Sequence, residues 1–146
     1  MSDQYATIMH RWFAEVWTNG RAEAIDEILD PGVINHGLAD TSGKEVSNAE
    51  GFKAFHQSFR EAFPDIQVIV EDTVAEGDQI AARCLVKATH SGDGLGIKAS
   101  GKPVEFTGMC MIRVKDGKII ESWNSFDFLT LMKQLEMVGP PIDSAS

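Results

Sequence analysis

Apolar side chains recur every three or four residues in the first part of the chain, which is the spacing of an amphipathic helix. This pattern predicts helices over residues 3–18, 22–29 and 48–63. Ser47 and Glu50 match a capping box at the start of the third helix. The inner stripe of that helix is aromatic and consists of Phe52, Phe55, Phe59 and Phe63.

The second part of the chain alternates between apolar and polar residues, which is the pattern of half-buried strands. Asp116-Gly117 predicts a tight hairpin between the last two strands, and a short amphipathic helix closes the pattern near Glu136. Helices that precede an antiparallel meander indicate an α+β fold, with a curved sheet folded over the helices. No linker or repeat divides residues 1–146, so we predict one domain. The predicted strands are residues 33–36, 66–75, 79–90, 102–115 and 118–125.

The charge of the chain excludes several classes of partner. The formal net charge is -9, from 22 acidic and 13 basic side chains, and the basic residues form no cluster. Binding to a phosphate backbone needs clustered Lys and Arg, so we predict no nucleic-acid partner and no anionic membrane partner. No apolar run approaches the ~18 residues of a membrane span, and we expect a cytoplasmic protein.

The potential ligands of metals and cofactors are scattered along the chain. The four histidines show no close pairing, and no Gly-rich loop stands between a strand and a helix. We therefore predict no metal site and no nucleotide cofactor. Cys84 and Cys110 lie in apolar strands, which predicts two buried free thiols.

The stretch from Asp116 to Glu136 carries the strongest candidate chemistry, because an aromatic ring, an amide and a carboxylate follow one another where a strand ends. Side chains alternate along a strand, so Trp123 shares a face with Glu121, whereas Asn124 lies on the other face. We expect the face of Trp123 to point into a cavity, with Asp127 at its edge.

The order of short motifs resembles the SnoaL-like polyketide cyclase (ester cyclase) family of the nuclear transport factor 2-like superfamily. The resemblance covers nearly the whole chain. The matching segments are Asn35-His36, Phe63-Pro64-Asp65, residues 71–83 (EDTVAEGDQIAAR), Thr89-His90-Ser91-Gly92, Gly101-Lys102-Pro103-Val104 and the closing DGKIIESW…D…QLE.

This resemblance implies a cone-shaped barrel, in which a strongly curved, mainly antiparallel sheet wraps around N-terminal helices and a short helix ends the chain. It also implies a deep apolar pocket for a hydrophobic carbonyl compound and no cofactor. An aspartate near the start of the last helix carries out acid–base chemistry in the family's cyclases, and by position that residue is Asp127. The resemblance further implies a homodimer or a higher homo-oligomer, formed through the outer face of the sheet.

Two interpretations of Asp127 remain open at the level of sequence. In the first, a pocket formed by Trp123, Phe106, Met109 and Met111 raises the pKa of the carboxyl by desolvation, which suits a general acid or base. In the second, Asp127 is only the N-cap of the last helix, where an ionised and solvated carboxylate is favoured.

The other candidate site residues also have two interpretations. His90 follows a strand and either relays a proton in the pocket or ends that strand in solvent. His36 and Asn35 could hold a carbonyl oxygen or a water molecule, and Phe59 could line the pocket. Arg83 lies on the strand face opposite His90 and either balances a pocket carboxylate or is an exposed charge.

Three functions follow from these residues. The first is a cofactor-independent cyclase, isomerase or lyase, with Asp127, His90 and His36 as its catalytic residues. The second is a small-molecule-binding domain without chemistry. The third is an epoxide hydrolase, which requires Arg83 and Glu121 to point into the pocket.

Overall fold

The computed structural model of the chain describes residues 8–39 and 43–137. Residues 8–11 are helical and continue into a segment with π-helical turns, which we call α1. The elements in chain order are α1 (Trp12–Thr18), α2 (Glu23–Ile28), β1 (Leu29–His36), α3 (Ala49–Ala62), β2 (Gln67–Glu76), β3 (Gln79–Thr89), β4 (Pro103–Lys115), β5 (Lys118–Phe126) and α4 (Phe128–Gln134).

The five strands form one curled and open sheet in the order β1-β5-β4-β3-β2. β1 runs parallel to β5, and every other neighbouring pair is antiparallel. The predicted α+β fold with a strongly curved, mainly antiparallel sheet is therefore confirmed. The short C-terminal helix α4 packs beside β4.

Asp116 and Gly117 form the predicted turn between β4 and β5, with φ angles of 52° and 78°. A two-residue hairpin of this type needs positive φ at both positions, which glycine and aspartate tolerate well. Further along β5, Arg113 pairs with Glu121 whereas the next residue, Val114, pairs with Ile119. Ile120, which lies between Ile119 and Glu121 on β5, is therefore the extra residue of a β-bulge. It changes which side chains of β5 face the helices.

The start of α3 differs from the prediction. Asn48, and not Ser47, is the N-cap, and its Oδ1 accepts a hydrogen bond of 2.8 Å from the Gly51 N–H. Asn48 has the extended backbone that an N-cap requires, with φ of -119° and ψ of -178°. The predicted capping box between Ser47 and Glu50 was therefore wrong.

The two faces of the sheet have different surroundings. Alternate residues from Ile80 to Ala88 on β3 and from Val104 to Val114 on β4 are buried against the helices. We call this side the concave face and the opposite side the convex face. Gly108 lies on the concave face, where a β-carbon would overlap the ring of Phe126. The lack of a side chain at this position admits that ring into the core.

Two further expectations concern the described residues alone. Both cysteines are buried free thiols, as predicted. No helix within residues 8–39 and 43–137 is long and apolar enough to cross a membrane.

Candidate functional site

An apolar cavity of about 50 Å³ lies between the helices and the concave face. One buried water needs about 10–15 Å³ by this measure, so the cavity has room for a few water molecules or one small ring. Twelve of its 13 lining residues are aromatic or aliphatic, and the thirteenth is Asn124. The lining residues are Phe13, Trp17, Leu38, Phe52, Phe55, Phe59, Ile66, Val68, Val86, Phe106, Asn124, Phe126 and Phe128.

The helical side of the cavity is a packed set of aromatic rings. Phe52, Phe55 and Phe59 share one face of α3 because they are three and four residues apart. The Trp17 ring of α1 meets Phe52 at an interplanar angle of 90° and Phe59 at 87°. Edge-to-face contacts of this kind are favourable, because the positive ring edge meets the negative face.

The strand side contributes a chain of neutral polar groups. Asn124 Nδ2 donates hydrogen bonds of 3.0 Å to the His36 carbonyl oxygen and to Ser122 Oγ. Ser122 Oγ in turn donates a 2.7 Å hydrogen bond to Asn35 Oδ1. Asn35 Nδ2 is buried and has no partner in the described part of the chain. These bonds connect β1 to β5 and fix the orientation of Asn124.

His90 follows β3 and is buried, with only 1% of its surface exposed. Its Nδ1 lies 2.9 Å from Ser100 Oγ and accepts a 3.3 Å hydrogen bond from the Ser100 N–H. The proton of a neutral ring therefore sits on Nε2, which is buried without a partner among residues 8–39 and 43–137. The Phe63 ring, 5.4 Å from His90 and 5.1 Å from Phe59, separates this histidine from the cavity.

Asp127 is the exposed N-cap of α4. Its Oδ1 accepts a 3.0 Å hydrogen bond from the Thr130 N–H, and its Oδ2 accepts a 2.6 Å hydrogen bond from Thr130 Oγ1. The side-chain hydrogen bond from Thr130 is the main reason why the pKa of Asp127 is lowered. An ionised carboxylate in solvent suits a helix cap and is a weak proton donor near neutrality.

The charged side chains of β5 and its neighbours lie on the convex face. His36 Nε2 is 2.8 Å from Glu121 Oε2, and the imidazole stacks on Trp123 with ring centroids 5.5 Å apart. The Arg113 guanidinium lies 5.8 Å from the centre of the Trp123 ring. Arg83, on β3, donates a 3.1 Å hydrogen bond to Glu71.

The family model for SnoaL-like polyketide cyclases matches residues 7–135 of this chain. The chain therefore belongs to the SnoaL-like polyketide cyclase family.

IdmH from Streptomyces antibioticus is one solved structure with the same fold, and its sequence is 32% identical to this chain. The match covers 91% of this chain and 99% of IdmH, with a TM-score of 0.78. TsrD from Streptomyces laurentii is 25% identical, covers 94% and 98% of the two chains, and has a TM-score of 0.80. AclR from Streptomyces galilaeus is 25% identical, covers 99% of this chain and 89% of its own, and also has a TM-score of 0.80. Among curated proteins, none matches this chain.

The geometry of this SnoaL-like chain corrects part of the predicted pocket. Trp123, Met109, Met111 and Arg83 do not line it, because they lie on the convex face. His36 also directs its side chain to that face, and only its carbonyl oxygen reaches the hydrogen-bond chain of the concave side.

Other predicted residues lie on the concave side of the sheet. Phe59 and Phe106 line the cavity, and Asn35 is buried behind Asn124 and Ser122. The expected desolvation of Asp127 was wrong, since its carboxylate is exposed and the pocket residues that would raise its pKa point elsewhere.

The pocket predicted from the sequence did not include Asn124, which is the polar residue of the cavity. It also omitted Phe126 and Phe128, which flank Asp127 and line the cavity on either side of it. The position of Phe126 was an available signal, because it lies two residues from Asn124 on β5 and residues i and i+2 of a strand share a face. Phe128 is the first residue of α4, so strand alternation does not place it.

Two further kinds of chemistry find no support in the described residues. Burial raises the pKa of Cys84 to about 12, and it also raises the pKa of Cys110. A thiolate nucleophile at either position is therefore disfavoured. No group of three or more His, Cys, Asp and Glu side chains in residues 8–39 and 43–137 could hold a metal ion.

Proposed function

We propose that this SnoaL-like protein is a cofactor-independent cyclase or isomerase that acts on a small hydrophobic carbonyl compound. The observation that carries the proposal is the aromatic cavity between the helices and the concave face, with one oriented amide in it. Apolar cavities with a few fixed polar groups are the usual binding sites of small molecules. The related IdmH has a provisional assignment as a polyketide cyclase and AclR has one as a hydroxylase.

Enolisation is the reaction step that best suits this site. A base removes a proton from the carbon next to the carbonyl group, which leaves an enolate. An acid then gives a proton to the enolate oxygen or, when the enolate carbon has attacked a second carbonyl group, to the alkoxide formed there. An aromatic cavity excludes water from the reactive enol and restricts the orientations of the carbonyl compound.

His90 is the acid–base group that we propose for this step. It is the only one of the three predicted catalytic residues whose side chain is buried beside the aromatic rings of the core. Its Nε2 has no partner in the described part of the chain, and the Phe63 ring packs between the imidazole and Phe59 of the cavity lining. A buried donor without a partner costs about 1–3 kcal/mol, which is the kind of cost that functional residues carry.

Exchange of the methyl protons of acetophenone with D2O, followed by proton NMR, measures enolisation without the natural substrate. We expect the protein to accelerate this exchange over buffer. Val68→Phe should abolish the acceleration by filling the cavity, whereas Ile69→Phe, on the convex face, is the matched control that should retain it.

The same assay separates the two candidate acid–base residues. His90→Gln should lose the exchange, because glutamine can still accept from Ser100 but cannot take up a proton. Asp127→Asn should retain the exchange, since asparagine is an equally good N-cap. Loss with Asp127→Asn alone would return the catalytic role to Asp127.

A non-catalytic binding domain is the second candidate function. It is favoured by the lining of the cavity, which includes no titratable side chain in the described residues. Binding of acetophenone without any exchange above the buffer rate would select this function over the first.

We also propose that two copies of the chain associate through the convex face. This face and the adjoining strand β1 expose Ile34, Ile69, Val74 and Met109, which a second copy would cover. Light scattering should give twice the mass of one chain. Met109→Glu should convert the dimer to monomer, and Met132→Glu, which changes an exposed methionine of α4, is the matched control.

A further inference from the structure

The orientation of the Asn124 amide in the cavity is fixed by its partners. The His36 carbonyl oxygen can only accept a hydrogen bond, so the Asn124 atom 3.0 Å from it must be the nitrogen. The second N–H of the same amide points to Ser122 Oγ, whose own proton goes to Asn35 Oδ1. Both N–H groups of Asn124 are therefore used within the protein.

The oxygen of the same amide is free for a ligand. Asn124 Oδ1 accepts no hydrogen bond from residues 8–39 and 43–137, and it is not among their fully buried side-chain atoms without partners. Since Asn124 lines the cavity, this oxygen is the polar atom that the amide offers to a ligand. Trp17 also lines the cavity, and its indole N–H can only donate, so it does not change what Asn124 Oδ1 accepts.

An amide oxygen in an apolar cavity discriminates between ligands by their hydrogen-bond donors. A hydroxyl, an enol or an N–H group satisfies the oxygen, whereas a ketone or ether oxygen places a second acceptor in front of it. An unsatisfied polar group in an apolar site is costly, so a ligand without a donor binds less well.

We propose that Asn124 Oδ1 selects ligands that present an O–H group, and that in the reaction of a carbonyl compound it holds the enol in preference to the ketone. This inference rests on the proposed function and names the chemical class that its cavity binds. In the step concerned, a C–H bond next to the carbonyl breaks and an O–H bond forms, so the proton moves from carbon to oxygen without an oxidant or reductant. A site that binds the product of this step more tightly than its reactant favours the step itself.

The experiment compares ligands that consist of one ring and differ in a single group. Phenol carries a donor, fluorobenzene carries none, and benzaldehyde carries only an acceptor. Each is titrated into the wild-type protein, into Asn124→Leu and into Ser125→Leu, and the dissociation constants are measured by NMR. Ser125 is exposed on the convex side of β5 and serves as the matched control.

We expect the preference for phenol over benzaldehyde to be about three- to tenfold larger in the wild-type protein than in Asn124→Leu, which is the effect of one neutral hydrogen bond. The preference for phenol over fluorobenzene should fall by a similar factor in Asn124→Leu and stay unchanged in Ser125→Leu. Comparing ratios between variants cancels the different hydration of the free ligands. If Asn124→Leu does not fold, Asn124→Ala replaces it in the same comparison.

The outcomes distinguish this inference from the proposed function. If the ligands bind the wild-type protein but the preference for phenol is equally large in Asn124→Leu, the selection by Asn124 is wrong while the cavity remains a binding site. If none of the ligands binds the wild-type protein, the proposed function is wrong as well.

Discussion

The two faces of β5 carry polar residues of different kinds. On the concave face, Ser122 and Asn124 are neutral, and their hydrogen bonds connect them with each other and with β1. On the convex face, Glu121 contacts His36, and Arg113 lies over the ring of Trp123. Neighbouring residues of one short strand therefore belong to two different environments.

This difference follows the free energy of removing polar groups from water. A buried hydroxyl or amide is tolerated when hydrogen bonds replace its water contacts, whereas a buried charge costs far more. The charged groups of β5 thus remain partly solvated on the convex face, and the cavity receives only neutral groups. A ligand on the concave side meets dispersion contacts and one amide oxygen rather than a field of charges.

The largest expected difference between the faces concerns packing. Phe106→Ala, on the concave face, should lower the free energy of unfolding by about 3–5 kcal/mol, because it removes a buried ring and leaves a void. At a protein concentration at which the chain is monomeric, Met109→Ala, three residues along the same strand, should change it by less than about 0.5 kcal/mol, since 57% of Met109 is exposed in one chain. Urea unfolding of both variants measures the difference, and equal losses would refute the assignment of the two faces.

The hydrogen-bond chain provides a smaller and more specific comparison between two serines. Ser122→Ala leaves Asn35 Oδ1 and one Asn124 N–H without their partner and should lower the free energy of unfolding by about 1–3 kcal/mol. Ser125→Ala removes only an exposed hydroxyl and should change it by less than about 0.5 kcal/mol. The two unfolding free energies are measured in urea under the same conditions. A neutral Ser122→Ala would mean that the chain does not hold β1 against β5.

The sequence predicted the helices and strands well because their signals are local. Helical spacing, alternation and the Asp116-Gly117 turn depend on neighbouring residues, and the structure has all three. Which face of β5 lines the cavity depends on a bulge, which local alternation does not reveal. Ile119 and Ile120 are both apolar, so the phase of the strand cannot be read from that end, and Ile120 is itself the extra residue of the bulge.

The alternation along β4 already excluded a pocket that contains both Phe106 and Met109. Phe106 and Met109 are three residues apart, so an unbulged strand must place them on opposite faces. Their register with β3 is continuous, and only Phe106 lines the cavity.

The role of Asp127, by contrast, could not be assigned from sequence alone. A helix cap and a pocket acid require the same residue type, and only the partner Thr130 and the exposure of the carboxylate distinguish them.

The pH dependence of the free energy of unfolding tests whether His56, which lies behind the cavity, is neutral in the folded protein. His56 Nε2 donates a 2.7 Å hydrogen bond to the Val16 carbonyl oxygen, and the imidazole contacts the Trp17 ring. Burial is the main reason why the pKa of His56 is lowered, and the nearby Arg60 adds to the effect. The unfolded chain therefore binds a proton at this histidine more readily than the folded chain does.

The free energy of unfolding should fall as the pH decreases from about 6.5, the ordinary pKa of histidine, towards the lowered value in the folded protein. His56→Gln keeps an N–H for the Val16 carbonyl but does not titrate, so this part of the pH dependence should disappear in the variant. Urea unfolding at pH 7.5 and pH values below 6.5 measures both slopes. Identical slopes in the two proteins would contradict a buried neutral His56.

The smallest effect is expected from the ionisable pair of the convex face. Glu121→Gln weakens the contact with His36, whose side chain is 41% exposed while that of Glu121 is 24% exposed. The free energy of unfolding should change by less than about 1 kcal/mol, and the change should shrink with added salt. Acetophenone exchange should remain, because neither side chain lines the cavity.

His36 nevertheless offers its carbonyl oxygen to Asn124 on the concave side, so the backbone of β1 connects the two faces. Loss of exchange in Glu121→Gln would mean that a shift of His36 reaches Asn124 through this bond, and the two faces would then act together.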